Sequence, residues 1–128
     1  MERGFRERAE RYPTVVVDRD GVVLAWASAG LYRPRECYAG IGEFSVYVAR
    51  EARGQGLGRV ALDALIAEAE RRGLTKLVSR IFPENTASLA LCRAVGFREV
   101  GTYRRHAKLD GVWKDVVIVE RLIGEAAR

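Results

Sequence analysis

Three glycines at alternate positions lie between two arginines in the stretch Arg53-Gly54-Gln55-Gly56-Leu57-Gly58-Arg59. Glycine lets backbone N–H groups converge and lets an anionic oxygen approach the chain closely. A helix is predicted directly after the stretch, and the exposed start of a helix carries about half a positive charge. The combination predicts a cradle for a phosphate or pyrophosphate group.

Two common nucleotide-binding loops do not fit this cradle. A Walker loop requires Lys followed by Ser or Thr after its last glycine, whereas Arg59 and Val60 follow here. A dinucleotide-binding fingerprint requires another glycine spacing and an acidic residue at the end of the next strand, and the strand predicted over residues 76–81 offers none. A tight strand-to-helix turn without a ligand is the alternative that these residues leave open.

The elements that must position the cradle follow from apolar periodicity and turn residues. Leu62, Leu65, Ile66 and Ala69 recur at helical spacing, and Gly73 stands where a left-handed cap would end that helix. The predicted order is a helix over residues 5–11, strands over 14–17 and 22–29 joined by a turn at 18–21, a loop over 33–42, a strand over 43–48, the helix after Gly58, a strand over 76–81, a helix over 85–95, and strands over 97–108 and 113–122. We therefore predict an α/β domain with a mixed sheet, a single domain over residues 1–128.

The composition limits the classes of function. The chain has 128 residues, 48% of them hydrophobic and 30% charged, and a net charge of +5, which suits a polyanionic ligand. Nucleic-acid binding is not expected, because no basic patch interleaved with aromatic residues is present. One His and the wide spacing of Cys37 and Cys92 predict no metal site.

The same survey predicts where the protein works. Two scattered cysteines suit free thiols in a reducing compartment. The N-terminus is charged from its second residue, unlike a signal peptide, and no apolar run is long enough to span a bilayer. A cytoplasmic protein with no membrane partner is the expectation.

The glycine stretch also matches a family signature, (Gln/Arg)-x-x-Gly-x-(Gly/Ala), at every fixed position. Further matches follow in the same order along residues 14–122: Glu43-Phe44-Ser45-Val46-Tyr47-Val48, then Asn85-Thr86-Ala87-Ser88 opening a helix that ends at Gly96-Phe97, then Gly111-Val112-Trp113-Lys114-Asp115-Val116. With these motifs the chain resembles the GCN5-related N-acetyltransferase (GNAT) family, and within it the phosphinothricin and arsinothricin branch. The resemblance implies the GNAT acyl-CoA N-acyltransferase fold and transfer of an acetyl group from acetyl-CoA to the primary amine of a small molecule.

The resemblance also implies the cofactor contacts. The pantetheine arm would bond to the backbone beside the strand over residues 43–48, and the pyrophosphate would lie on the amides of the glycine stretch. The implied cofactor-binding residues are Val46, Tyr47, Val48, Arg53, Gly54, Gln55, Gly56, Leu57, Gly58, Arg59, Asn85 and Ser88. For Asn85 a simple helix N-cap is the competing interpretation.

Two residues are candidates for the proton transfers. Glu43 occupies the start of its predicted strand, where resembling enzymes carry the base that deprotonates the amine; a solvated strand-end acid is the alternative. The backbone N–H near Val46 or Tyr47 would stabilise the oxyanion. Cys92 stands where related enzymes carry the Tyr or His that protonates the departing thiolate. It could act as this acid, pack the helix, or carry the acyl group covalently, although the family transfers directly in a ternary complex.

The acceptor site is implied by the loop before Glu43. Arg33, Arg35 and Tyr38 resemble the amino-acid-binding loop of the branch, and an arginine pairs well with a carboxylate or phosphinate. Arg105, His106 and Lys108 could add charge from the last hairpin, whereas Trp113 is expected to pack that hairpin or a dimer contact.

The family normally begins with a strand and one or two helices before the point where this chain starts. We therefore expect an N-terminally truncated fold, or cover supplied by a partner. The strand over residues 14–17 would then be an open edge, which favours a homodimer. The alternatives in function are a coenzyme A-binding module that has lost turnover and an acetyltransferase of peptide N-termini.

Overall fold

A computed structural model of the protein describes residues 11–128. The helix predicted over residues 5–11 lies outside this range except for its last residue. The described residues form six strands and two helices: β1 (Thr14–Arg19), β2 (Val22–Leu31), β3 (Ile41–Val48), α1 (Leu57–Arg71), β4 (Lys76–Ile81), α2 (Thr86–Ala94), β5 (Arg98–Leu109) and β6 (Val112–Leu122). Neither helix is long and apolar enough to cross a membrane, within the part of the chain that is described.

The chain forms two compact units, of which the first runs to Leu77 and also includes Leu122–Arg128. In this unit β1, β2 and β3 are antiparallel neighbours in that order, and the start of β4 follows β3. The first hairpin turns at Asp20 and Gly21, which both have a positive φ, of 52° and 82°. The turn is shorter than predicted, because the pairing of β1 with β2 continues to Arg19.

The core of the first unit lies between β2 and α1. Ala25, Ala27 and Ala29 line one face of β2 and are buried, so the helix can approach the sheet closely. The helix buries the side chains predicted from its periodicity, namely Leu62, Leu65, Ile66 and Ala69. Burying each of the large ones is worth about 1.5–3 kcal/mol.

The second unit is Val78–Arg121, and its strand order is β4, β6, β5. The β5–β6 hairpin turns at Asp110 and Gly111, with positive φ angles of 50° and 78°, as the Asp-Gly pair predicts. The register of β5 shifts between Tyr103 and Ala107, and the N–H of Arg105 donates to Oδ1 of Asp115 at 2.9 Å. The sequence did not predict this bulge.

Candidate active site

The glycine turn (residues 53–59) connects β3 to α1 in a conformation that requires glycine. Gly54 has a φ of 82°, and Gly56, the N-cap of α1, has a φ of 75°. Residues that carry a side chain rarely adopt such positive φ angles. A Cβ atom on either glycine would meet no atom of the described residues within 4 Å. The glycines therefore face open space rather than packed neighbours.

The start of α1 is uncapped. Its first backbone bond runs from the N–H of Val60 to the carbonyl of Gly56 at 3.2 Å, so the four preceding N–H groups have no partner within the helix. Gly56 offers no capping side chain, and the first turn contains no acidic residue. Arg59 lies 3.8 Å from Asp63 in an exposed pair, which constrains it little. This end of the helix is suited to an anion, which is the fit that a pyrophosphate group needs.

Glu43 lies inside the sheet. The prediction that it begins its strand is wrong, because β3 begins at Ile41 and pairs with β2 as far as Gly42. Glu43 is the third residue of β3, is half-buried and pairs with Gly30 of β2. Its carboxylate therefore belongs to the sheet face and not to a solvated strand end.

The two faces of β3 differ in character. Phe44, Val46 and Val48 share the face that carries the alanines of β2. Glu43, Ser45 and Tyr47 share the other face, where the Tyr47 ring stacks on Trp26 with 5.8 Å between centroids. The backbone of Val46 to Val48 thus separates an apolar face from the face that carries the carboxylate.

The β2–β3 loop (residues 32–40) brings two of the predicted acceptor residues together. The guanidinium of Arg33 lies 4.4 Å from the ring centroid of Tyr32, and its Nη1 donates to the Tyr32 carbonyl at 2.8 Å. The ring of Tyr38 meets the ring of Tyr32 edge-on at 6.0 Å. Arg35 is exposed, and its carbonyl accepts from the N–H of Tyr38 at 3.0 Å. Tyr32, which the sequence did not single out, joins this group.

The far end of this loop is anchored. The hydroxyl of Tyr12 donates to the carbonyl of Ala39 at 3.0 Å, and the N–H of Thr75 donates to the carbonyl of Gly40 at 2.8 Å. The anchors restrict the backbone between the aromatic group and Glu43. The loop is therefore held at the end of β3 on which Glu43 lies.

Asn85, Ser88 and Cys92 belong to the second unit, whereas the glycine turn, Glu43 and the β2–β3 loop belong to the first. Asn85 caps α2, since its Oδ1 accepts from the N–H of Ser88 at 3.2 Å. The cap leaves the side-chain nitrogen and a second lone pair of Oδ1 for any cofactor contact of Asn85. Cys92 is buried with an exposed fraction of 3%, on the same helical face as Leu89.

Three comparisons relate this geometry to known proteins. A model of the acetyltransferase (GNAT) family matches residues 1–97. The phosphinothricin N-acetyltransferase of Alcaligenes faecalis is 41% identical over 110 residues, which are 85% of this chain and 56% of that protein. The L-methionine sulfoximine/L-methionine sulfone acetyltransferase of Pseudomonas aeruginosa is 40% identical over 118 residues, 91% of this chain and 69% of that protein. A crystal structure of a GNAT superfamily phosphinothricin acetyltransferase from Sinorhizobium meliloti, in complex with AcCoA, superposes with a TM-score of 0.85 at 32% identity and covers 97% of this chain and 68% of that one.

The family match spans most of the chain. This chain belongs to the GNAT acetyltransferase family. The mixed sheet of six strands with two helices over residues 11–128 matches the GNAT fold, which confirms the predicted fold class. The chain spans 56% of the length of the Alcaligenes protein and 69% of the length of the Pseudomonas protein.

Cys92 is a poor acid in its surroundings. Burial raises the pKa of its thiol from 9.0 to about 11. The coenzyme A thiolate is the leaving group, and an ordinary thiol has a pKa of about 8.5. Transfer of a proton from Cys92 to that thiolate would be uphill by roughly three hundredfold in equilibrium. The geometry and the pKa both favour the packing interpretation of Cys92.

The basic residues of the last hairpin contact aromatic rings. His106 stacks on Tyr103 with 4.6 Å between centroids, and Nζ of Lys108 lies 5.3 Å from the ring centroid of Trp113. Trp113 thus packs on its own hairpin, opposite Lys108 in register. Among residues 11–128, no group of three or more His, Cys, Asp or Glu side chains could hold a metal ion.

Proposed function

We propose that the chain transfers the acetyl group of acetyl-CoA to the primary amine of an amino acid or a close analogue, directly within a ternary complex. The observation that carries the proposal is the uncapped start of α1 behind Gly54 and Gly56, which offers four N–H groups to a pyrophosphate. The relatives named for phosphinothricin and methionine sulfone support an acceptor of the amino acid type.

Acetyl-CoA would lie across the first unit from β3 to the glycine turn. Its pyrophosphate would bond to the backbone amides of Gly56, Leu57, Gly58 and Arg59, with Arg53, Gly54 and Gln55 forming the wall of the turn. Its pantetheine arm would bond to backbone groups of Val46, Tyr47 and Val48. Asn85 and Ser88 are two further cofactor contacts that the family resemblance implies.

The chemistry requires one base and one oxyanion donor. Glu43 would take the proton of the acceptor ammonium, directly or through a water molecule. The free amine then attacks the thioester carbonyl, and a backbone N–H of Val46 or Tyr47 would stabilise the oxyanion that forms. Collapse of this intermediate would break the C–S bond and release the coenzyme A thiolate. The nitrogen would give up its second proton and the thiolate would take one, both by exchange with solvent if Cys92 serves packing.

The acceptor's carboxylate would bind in the β2–β3 loop. Arg33 is held in place by the ring and the carbonyl of Tyr32, so little of its rotational freedom remains to be lost on binding. Arg35 would supply a second charge and Tyr38 an aromatic wall. Because the loop is anchored at Ala39 and Gly40, these groups would stand at a fixed distance from Glu43.

Release of free thiol from acetyl-CoA tests the proposal. Methionine sulfone, phosphinothricin, simple amines and a peptide with a free N-terminus should be offered in parallel. Turnover with the amino acids is expected, and preference for the peptide would favour the N-terminal acetyltransferase alternative. A chain that gains thermal stability from acetyl-CoA but releases no thiol with any amine would instead be a binding module without turnover. NAD serves as the control ligand, because it should not raise the thermal stability of the protein.

We also infer a homodimer in the cytoplasm. Eleven of the twelve residues of β5 are exposed, and this strand is an outer one in the sheet of residues 11–128. Val100, Tyr103 and Leu109 on it are about half exposed, which favours a partner at this strand. The two free cysteines suit a reducing compartment. Sedimentation equilibrium of the parent and of a Leu109→Lys variant tests the dimer, since the lysine should shift the distribution to monomer.

A further inference from the structure

Gly30 lies directly across from Glu43 in the β2–β3 pair. Residues that face each other in antiparallel strands project from the same face of the sheet, with Cβ atoms about 4.5–5.5 Å apart. At this position β2 contributes no side chain. Among residues 11–128, a Cβ atom placed on Gly30 would meet nothing within 4 Å. The base candidate of β3 therefore has an empty neighbouring position on its own face.

Neither of the usual structural reasons explains a glycine at this position. Gly56 needs its positive φ, but Gly30 is not among the residues with a positive φ. Gly42 is required by packing, since a Cβ atom on it would lie 3.1 Å from both Ala29 and Leu77, but Gly30 has no such neighbours. A glycine inside a strand loses backbone entropy on folding and weakens the strand. One remaining reason for a strand glycine is the close approach of a ligand.

The surroundings of the gap are polar and lie near the predicted acceptor loop. Ser28 precedes Gly30 by two residues on the same face, and it pairs with Ser45, which stands two residues after Glu43. Both serines are at least partly exposed. On the other side the chain runs into Tyr32, the ring that supports Arg33. A small polar molecule above Gly30 would thus meet hydroxyl groups, the Glu43 carboxylate and the start of the β2–β3 loop.

We propose that Gly30 keeps open the space in which the acceptor's α-carbon lies while its amine faces Glu43. The inference rests on the proposed function and adds to it a residue that determines specificity. Proton transfer needs the amine nitrogen within about 2.6–3.2 Å of the carboxylate or of one bridging water. In the proposed arrangement the carbon that bears the nitrogen lies over position 30. A methyl group there would compete with that carbon, and a larger side chain would exclude it.

Replacement of Gly30 by Ala and by Val tests the inference. Because no positive φ or close contact stands in the way, both variants should fold with melting temperatures equal to or above that of the parent. The KM for L-methionine sulfone should rise several-fold in Gly30→Ala and by roughly tenfold or more in Gly30→Val. The KM for free glycine as the acceptor should rise less, because this amino acid has no side chain on its α-carbon. The KM for acetyl-CoA should stay within about twofold of the parent value, since the glycine turn is untouched.

Gly101→Ala is the matched control. Gly101 is also a strand glycine without a positive φ, and a Cβ atom on it would meet nothing within 4 Å in the described part of the chain. It lies on β5 and not in β1–β3. The register of β5 shifts next to it, and such an irregularity is a common reason for a glycine in a strand. Adding the same methyl group there should leave both KM values unchanged. A loss in Gly101→Ala equal to that in Gly30→Ala would mean that the effect is not specific to the neighbour of Glu43, and would overturn the inference.

Calorimetric titration of methionine sulfone into the protein in the presence of coenzyme A separates this inference from the proposed function. A parent that binds the amine but releases no thiol would refute the transferase proposal alone. In that case weaker amine binding by Gly30→Val would still support the inference, and equal binding would overturn it. A parent that binds no amine would overturn both. An unchanged acceptor KM in a well-folded Gly30→Val enzyme would refute the role of Gly30 while the transferase proposal stands.

Discussion

Replacement of Cys92 by Ala should destabilise the protein at neutral pH and spare its turnover. The thiol is 3% exposed and shares its helical face with Leu89. Removing the sulfur atom loses its burial and leaves a small cavity, at a cost of about 1 to 2 kcal/mol in the free energy of unfolding. For a chain of this size that corresponds to a decrease of about 4 to 8 °C in Tm.

The same substitution should have the opposite sign at high pH. Burial raises the pKa of the Cys92 thiol from 9.0 to about 11, so the unfolded chain loses the thiol proton first as the pH rises. The stability that comes from keeping the thiol neutral is complete below about pH 9 and is lost as the pH approaches 11. Between these values each pH unit lowers the free energy of unfolding of the parent by about 1.4 kcal/mol. The alanine variant has no such dependence, so the two stabilities should cross near pH 10.

Urea unfolding of both proteins at half-unit intervals from pH 7.5 to 10.5 measures this crossing. A reductant keeps Cys37 and Cys92 as free thiols throughout. All other ionisable groups are common to both proteins, so the difference between the two curves isolates Cys92. Initial rates with acetyl-CoA and a reactive amine at pH 7.5 complete the experiment.

Two results would refute the reasoning. A stability difference that is independent of pH would mean that the thiol is not desolvated in the folded state. A loss of turnover of more than tenfold in a stable Cys92→Ala protein would mean that the thiol acts as an acid despite its raised pKa. In that case Cys92→Tyr should restore the rate, because the family resemblance implies a Tyr or His acid at this position. If packing is its role, tyrosine should destabilise the helix further.

Three further substitutions test the turn, the base and the acceptor loop. Gly56→Val should abolish the increase in Tm that acetyl-CoA produces, whereas Gly21→Val, at a similarly left-handed and open glycine, should lose comparable stability and keep the increase. If acetyl-CoA still raised the Tm of Gly56→Val, the assignment of the glycine turn as the pyrophosphate site would be contradicted. Glu43→Gln should keep cofactor affinity and lower kcat most at neutral pH, with partial recovery at high pH where more amine is already deprotonated; an unchanged pH–rate profile would exclude Glu43 as the base. Tyr32→Leu should raise the acceptor KM several-fold because Arg33 loses its supporting ring, while Tyr32→Phe should stay near the parent. Equal KM values in the Leu and Phe variants would show that the ring does not position the guanidinium.

Local patterns were sufficient to predict most of the elements and the glycine turn between β3 and α1. The 3.6-residue periodicity of α1 and the glycine that ends it depend only on neighbouring residues, and Gly73 has the predicted positive φ of 83°. The Asp110-Gly111 turn and the Asn85 cap are equally local, since each is decided by the dihedral angles or hydrogen bonds of a few consecutive residues. The strand β4 has the predicted bounds, Lys76–Ile81.

The tertiary structure decided the contacts between strands and the environment of side chains. The exact start of β3, and with it the position of Glu43 inside the sheet, follows from how far β2 remains paired. The choice between an acid and a packing role for Cys92 turns on burial, which the sequence left open. The register also set Gly30 opposite Glu43, because pairing between strands depends on which faces the apolar residues of both strands must bury together. No local pattern carries that information, since the two residues belong to different strands and meet only when the sheet forms.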